Sequence, residues 1–214
     1  MNLDLYVITD EALSQGLPHA VIAQHAVDGG AGVIQLRDKV YSPRELVRTG
    51  REIRAITRRA GATFLVNDRL DVAIACGADG VHLGQDDMRC DTARQLAPPG
   101  FIIGVSVCTI EEAMDAERNG ADYVALSPTF DTGSKGNAGP GLGLRLLGVI
   151  RSTVGIPVIA VGGVGPGNAG RAIDAGAEGI AVISAVVSQP DITAAARGLA
   201  GIVAQAKERR GRRM

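Results

Sequence analysis

The sequence predicts an α/β fold, a single-domain parallel (β/α)8 barrel, and two observations carry that expectation. First, eight short apolar, β-branched runs alternate with amphipathic or Ala-rich stretches along all 214 residues. Each parallel crossover needs its own helix, so this alternation implies parallel pairing throughout. Second, a phrase of Gly-Ala, one or two small or acidic residues and an apolar run occurs four times. It reads GAGVIQ at 30–35, GADGVHLG at 77–84, GADYVALS at 120–127 and GAEGIAVIS at 176–184. Each phrase falls where a helix ends and a strand begins, and its Gly supplies the left-handed helix stop that other residues resist. All four precede an even-numbered strand, so the repeat is a pair of βα units, and four pairs close a TIM barrel. A doubly wound open sheet is the alternative, but it usually has fewer strands and a switch point.

In chain order the expected strands are LYVIT (5–9), GVIQLR (32–37), TFLVN (63–67) and GVHLG (80–84), then FIIGVS (101–106), YVALS (123–127), PVIAVGG (157–163) and GIAVIS (179–184). Each is a short β-rich run bounded by turn residues. Between them, PRELVRTGREIRAITRRAG, TIEEAMDAERNG and GNAGRAIDAG read as helices. No linker or low-complexity stretch divides residues 1–214. The basic tail, about 207–214, is expected to fray.

Composition narrows the function classes. Hydrophobic residues make up 46% of the chain, enough for one well-buried core. Lys and Arg number 22 against 23 Asp and Glu, so no global field points to nucleic acid. Trp is absent and aromatics are 3%, which argues against a base-stacking surface. Cys76, Cys90 and Cys108 lack metal or CxxC spacing, and their odd count fits a reducing cytoplasm rather than a disulfide framework. MNLDLYVITD does not read as a signal peptide, and no run is long enough to span a membrane.

A barrel of this kind carries its site at the C-terminal ends of its strands. In QLRDK, alternation turns Gln35, Arg37 and Lys39 to one side. Two cations and an amide there suit a phosphate or diphosphate. Asp68 follows the third strand and Asp86 and Asp87 follow the fourth, so carboxylates from adjacent strands can converge on a hard divalent cation such as Mg²⁺. Helix capping is the competing use of such residues, and Asp86 and Asp87 cannot both point inward. His82 lies mid-strand and suits a satisfied interior position; no second His is near enough in sequence for zinc. The long loop SPTFDTGSKGNAGPGLG (127–143) offers Thr132, Ser134 and Lys135 to a phosphate. Gly162 and Gly163 end the seventh strand, Asn168 is expected to cap the next helix, and Ser184 starts a helical turn after the eighth strand. Loops after these two strands often seat a phosphate. Together, Arg37, Lys39, two aspartates and Ser106 suit a Mg²⁺-bound diphosphate, and the Gly-rich side suits a monophosphate. No Ser/His/Asp or Cys/His arrangement points to covalent catalysis. The chemistry this suggests is group transfer with pyrophosphate as leaving group.

LYVITD, QLRDK, VNDRLDVA, DGVHLGQDD, IIGVSV, SPTFDTGSK, VIAVGGV and GIAVISA, in this order, resemble the thiamine phosphate synthase (thiamine-phosphate pyrophosphorylase) family over nearly the whole chain. The resemblance implies a transferase that joins 4-amino-2-methyl-5-(diphosphooxymethyl)pyrimidine to 4-methyl-5-(2-phosphooxyethyl)thiazole. It further implies diphosphate departure ahead of thiazole attack, and one Mg²⁺ per subunit held by Asp68 and Asp87, with Asp86 in a turn or outer role. Gln35, Arg37, Lys39, Asn67, Ser106 and Lys135 would contact the pyrimidine diphosphate, with Arg37, Lys39, Ser106 and Lys135 acting on the leaving group. Thr132, Gly133, Ser134, Gly163, Ile183 and Ser184 would seat the thiazole phosphate. The family loop reads Gly-Pro and then Thr-x-Thr-Lys, whereas here it is Ser127-Pro128 and Thr132-Gly133-Ser134-Lys135. The implied partners are two small phosphorylated molecules, without nucleic acid or membrane, and homo-oligomerisation is left open. A thiazole tautomerase-like isomerase and a non-catalytic thiazole-phosphate sensor are the other readings. The diphosphate–Mg²⁺ residues argue against the isomerase.

Overall fold

Eight parallel strands close on themselves in sequence order, and β1 meets β8 with Leu5 opposite Ile180. The computed structural model describes residues 1–132 and 141–212. The first half runs β1 (Leu5–Ile8), α1 (His19–Asp28), β2 (Val33–Leu36), α2 (Pro43–Ala60), β3 (Thr63–Asn67), α3 (Leu70–Cys76), β4 (Gly80–Leu83) and α4 (Cys90–Leu96). The second half runs β5 (Ile102–Val107), α5 (Ile110–Arg118), β6 (Tyr123–Leu126), α6 (Gly143–Thr153), β7 (Val158–Val161), α7 (Ala169–Asp174), β8 (Gly179–Val182), α8 (Ser184–Val187) and α9 (Ile192–Gly211). Every expected strand forms, and the sheet is a closed barrel rather than an open doubly wound sheet.

The fourfold phrase has one geometry. Gly30, Gly77, Gly120 and Gly176 all have positive φ, between 72° and 110°. The amide of the Ala that follows each donates to the carbonyl five residues back, Ala26, Ala73, Ala116 and Ala172 in turn. The acidic residue of the phrase then works at the N-terminal rim. Asp79 accepts from the Phe64 amide and pairs with Arg54, and Asp122 accepts from the Ile103 amide and pairs with Arg94. Glu178 meets Lys207 and Arg210. Residues 207–212 of the tail expected to fray are held in this way, and 213–214 lie outside the described residues. Helix α9 continues to Gly211, with Lys207 bonded to Asp4 and Glu178 and Arg210 bonded to the Ile173 and Ala177 carbonyls.

Helix α2 shows how the outer layer is pinned. Ser42 and Glu45 form a reciprocal capping box, Pro43 occupies the first turn, and left-handed Gly61 stops the helix. Its Gly50 lies so close to Cys76 of α3 that a Cβ would come within 2.7 Å of the sulfur.

Inside the barrel, neighbouring strands set His82, Gly104 and Tyr123 in one row. A Cβ on Gly104 would overlap the Tyr123 ring, so the missing side chain is the space into which the phenol reaches. His82 stacks on Tyr123 at 5.6 Å, and Tyr6 meets Tyr123 edge-on at 6.3 Å. Overfilling a packed core costs about 1–3 kcal/mol. Gly104→Ala is therefore expected to lower the unfolding free energy by about that amount, measured by denaturant titration, whereas Gly201→Ala, with open space around it on α9, should not.

Candidate active site

The strand ends bring Gln35, Arg37, Lys39, Asn67, Asp68 and Ser106 to one cavity of about 400 Å³, joined there by Asp86 and Asp87. This is where strand-end residues of a barrel converge. Gln35, buried on β2, forms part of the floor with Tyr6, His82, Ala125 and Ala181.

Arg37 and Lys39 follow β2 and form the cationic wall. The Arg37 guanidinium is 3.4 Å from Asp10, which comes from the loop after β1. Lys39 is paired with Asp68. Between them Asp38 turns the other way: its Oδ1 accepts from the Val40 and Tyr41 amides, and its Oδ2 lies 3.1 Å from His19 Nε2. His19 is fully buried, and its Nδ1 is bonded to Thr9, which in turn donates to the Gln35 carbonyl. Glu11 accepts from the His19 amide and from the Tyr41 hydroxyl. Glu11, His19 and Asp38 form the one cluster of three or more metal-type ligands among the described residues, with ligand atoms within 4.8 Å of one another. Their partners make the cluster a closed hydrogen-bond network that holds the loop carrying Arg37 and Lys39.

Asp68 has a left-handed backbone, φ 62°, and its amide donates to the His82 carbonyl. That conformation is costly for a residue with a Cβ, though Asp tolerates it better than most. It turns the Asp68 carboxyl to Asp87. Burial raises the pKa of Asp87, and the Asp68 carboxyl raises it further, against the opposing pull of the Gly84 amide and Lys39. A carboxyl whose charge is disfavoured by burial and by a neighbouring carboxyl is what a hard cation would relieve. The turn role expected of Asp86 belongs in part to Asp87, whose Oδ2 accepts from the Gly84 amide at 2.7 Å. Asp86 itself is exposed at the rim.

A second cavity of about 410 Å³ adjoins the first and shares Ser127, Pro128 and Val161 with it. Thr132, Gly163, Ile183 and Ser184 line it. Gly162 and Gly163 both have positive φ, 88° and 64°, and Pro128 and the backbone of Phe130 and Asp131 pass so close that neither position has room for a Cβ. Asn168 stands at the N-cap of α7, but its side chain bonds Gly163 and Gly165 instead of the helix. The base of the 127–143 loop is fastened by the Leu142, Gly143 and Gly141 amides to Pro128, Thr129 and Asp131. Gly133, Ser134 and Lys135 lie outside the described residues.

His82 is the satisfied interior histidine the sequence suggested, with Nδ1 2.9 Å from Tyr123 and Nε2 2.9 Å from Ser106. Sequence reasoning missed Tyr6, Tyr123, Asp10 and the His19–Asp38 pair. The available signal was a polar aromatic at an inward position of an otherwise aliphatic strand.

The chain matches the family model described as thiamine monophosphate synthase over residues 5–186. It is 61% identical over 208 residues to the thiamine-phosphate synthase of Methanoregula boonei, covering 97% of this chain and 96% of that one. It is 56% identical over 205 residues to that of Methanocella arvoryzae, covering 96% and 97%. Among solved structures, the thiamine phosphate pyrophosphorylase of Pyrococcus furiosus superposes with a TM-score of 0.89 at 42% identity, covering 96% of this chain and 97% of that one.

The Asp38 network predicts a pH dependence. Burial alone would raise this carboxyl, but the Tyr41 and Val40 amides and His19 outweigh it and hold its pKa below the ordinary value. The folded state therefore gains stability above the ordinary carboxylate pKa of about 4, and loses it as pH falls through the depressed value. Asp38→Asn should melt below the parent at neutral pH, and the gap should close on acidification, followed by thermal unfolding across a pH series.

Proposed function

Because the chain belongs to the thiamine monophosphate synthase family and is a transferase, we propose that it joins 4-amino-2-methyl-5-(diphosphooxymethyl)pyrimidine to 4-methyl-5-(2-phosphooxyethyl)thiazole, yielding thiamine phosphate and diphosphate. The observation that carries this reading is the pair of adjoining cavities with unlike walls. One is lined by Arg37, Lys39, Asn67, Asp68, Asp87 and Ser106, and the other mostly by glycines, hydroxyls and apolar groups, with Asp131 and Gln189. A diphosphate and a second phosphorylated molecule would then lie side by side across the shared residues Ser127, Pro128 and Val161.

Asp68 and Asp87 would hold one Mg²⁺ per subunit, and the penalty that burial and the Asp68 carboxyl place on the charge of Asp87 supports that assignment. Bound there, the ion would neutralise charge on the departing diphosphate. Arg37 and Lys39 would add donors to the same oxygens, with Lys39 shared between Asp68 and the ligand. Ser106 would supply a hydroxyl, and Lys135 a further ammonium. Such groups stabilise the charge that develops as the carbon–oxygen bond breaks. Gln35 and Asn67 would hold the pyrimidine while the thiazole nitrogen attacks the methylene cation left behind. Thr132, Gly133, Ser134, Gly163, Ile183 and Ser184 would hold the thiazole phosphate. The 127–143 loop would cover the site and keep water from the cation. No helix among the described residues is long and apolar enough to cross a membrane.

The test follows diphosphate and thiamine phosphate together from both substrates. One-to-one formation that stops on chelation and returns with Mg²⁺ is the expected result. Diphosphate release without coupled product would sink the thiazole assignment, and unaltered turnover in chelator would sink the metal. Asp87→Asn should cut turnover by about 100-fold or more, on the scale seen when one group stabilising developing charge is lost.

A further inference from the structure

We propose that Tyr6, Tyr123 and His82 form a one-way hydrogen-bond relay from Gln35 to Ser106 that makes the Ser106 hydroxyl a donor to the cavity. The chain of contacts crosses the barrel from β2 through β1, β6 and β4 to β5. Gln35 Nε2 donates to the Tyr6 hydroxyl. Tyr6 and Tyr123 hydroxyls are 3.2 Å apart, Tyr123 is 2.9 Å from His82 Nδ1, and His82 Nε2 is 2.9 Å from Ser106 Oγ.

Proton counting fixes the direction. A phenol has one hydrogen. Tyr6 takes the Gln35 amide hydrogen, and among the described residues the Tyr123 oxygen is the one acceptor left within reach of its own hydrogen, so we assign that hydrogen to Tyr123 and the Tyr123 hydrogen to His82 Nδ1. His82 Nδ1 must then be the acceptor, which puts the ring hydrogen on Nε2, aimed at Ser106. With its oxygen accepting from His82, Ser106 turns its own hydrogen to the cavity it lines. Both tyrosines are fully buried, and burial pushes both phenols far up, so each keeps its hydrogen. The opposite end has the complementary polarity. Among the described residues no donor bonds Gln35 Oε1, which is left as an acceptor for a donor on the ligand, such as an amino group. Run backwards, the relay would leave Ser106 accepting where an oxyanion is to bind, two lone-pair groups face to face.

Tyr123 and His82 are thus positioning residues, acting through Ser106. This rests on the reading of Ser106 as a contact of the diphosphate, but its first test needs no substrate. Imidazole ¹⁵N shifts of the labelled protein at about pH 8, above the ordinary histidine value, report the tautomer, with His82 assigned by its loss in His82→Gln. The neutral Nε2–H form is expected. The Nδ1–H form, or an imidazolium, would overturn the relay. The second test is a cycle of Tyr123→Phe and Ser106→Ala in the coupled assay. Tyr123→Phe should lower kcat about 10-fold with little change in KM for the thiazole phosphate, and should add nothing in the Ser106→Ala background. Multiplying effects would overturn it. If the parent protein shows no turnover, the proposed reaction falls and the tautomer alone decides the relay.

Discussion

Polar groups sunk into the floor of a barrel have little access to water and are satisfied largely by one another, because each unpaired buried group is costly. Tyr6, Gln35, Tyr123 and His82 are all buried at the floor of the site, and no buried side-chain nitrogen or oxygen among the described residues lacks a partner. This requirement sets much of what lies around it. It makes Gly104 a glycine, since the phenol of Tyr123 occupies the place of a side chain there. It stacks His82 against the same ring. It leaves the floor a fixed surface, on which the charged residues of the rim stand at defined places.

Above that floor the charge is divided rather than spread. Arg37 and Lys39 each rest on a carboxylate, Asp10 and Asp68, so neither cation is uncompensated before a ligand arrives. Such half-exposed pairs add little to stability. Their effect is to hold two long side chains near the cavity mouth. The His19–Asp38–Tyr41 network fixes the backbone between the two cations from behind. Among the described residues the neighbouring cavity has no Lys or Arg, and its shape there is set by the backbone at Gly162 and Gly163.

The fold was legible because its signals are local. Gly-Ala at four helix ends is a backbone requirement readable from residue type alone, and all four glycines have the left-handed conformation it implies. The rim residues were legible for a related reason: once strands were placed, Gln35, Arg37, Asn67, Asp68, Asp87 and Ser106 had to share one end of the barrel. What escaped was contact between distant segments. Tyr6 and Tyr123 are separated by 117 positions, and nothing local says that one phenol reaches the other. Helix α9 escaped for the opposite reason. Its Ala- and Gly-rich sequence has a weak apolar stripe, and its basic end reads as solvated until Asp4 and Glu178 are known to lie beside it.

The two rims of the barrel share almost no parts. The acidic residues of the repeated phrase, Asp79, Asp122 and Glu178, fasten helices and strands at the N-terminal rim, while the ligand-facing groups stand at the other. Changes that compensate for lost stability can therefore accumulate at one end without disturbing the chemistry at the other. Such a separation gives the molecule evolvability: ligand contacts can drift toward a new phosphorylated compound while the opposite rim keeps the chain folded.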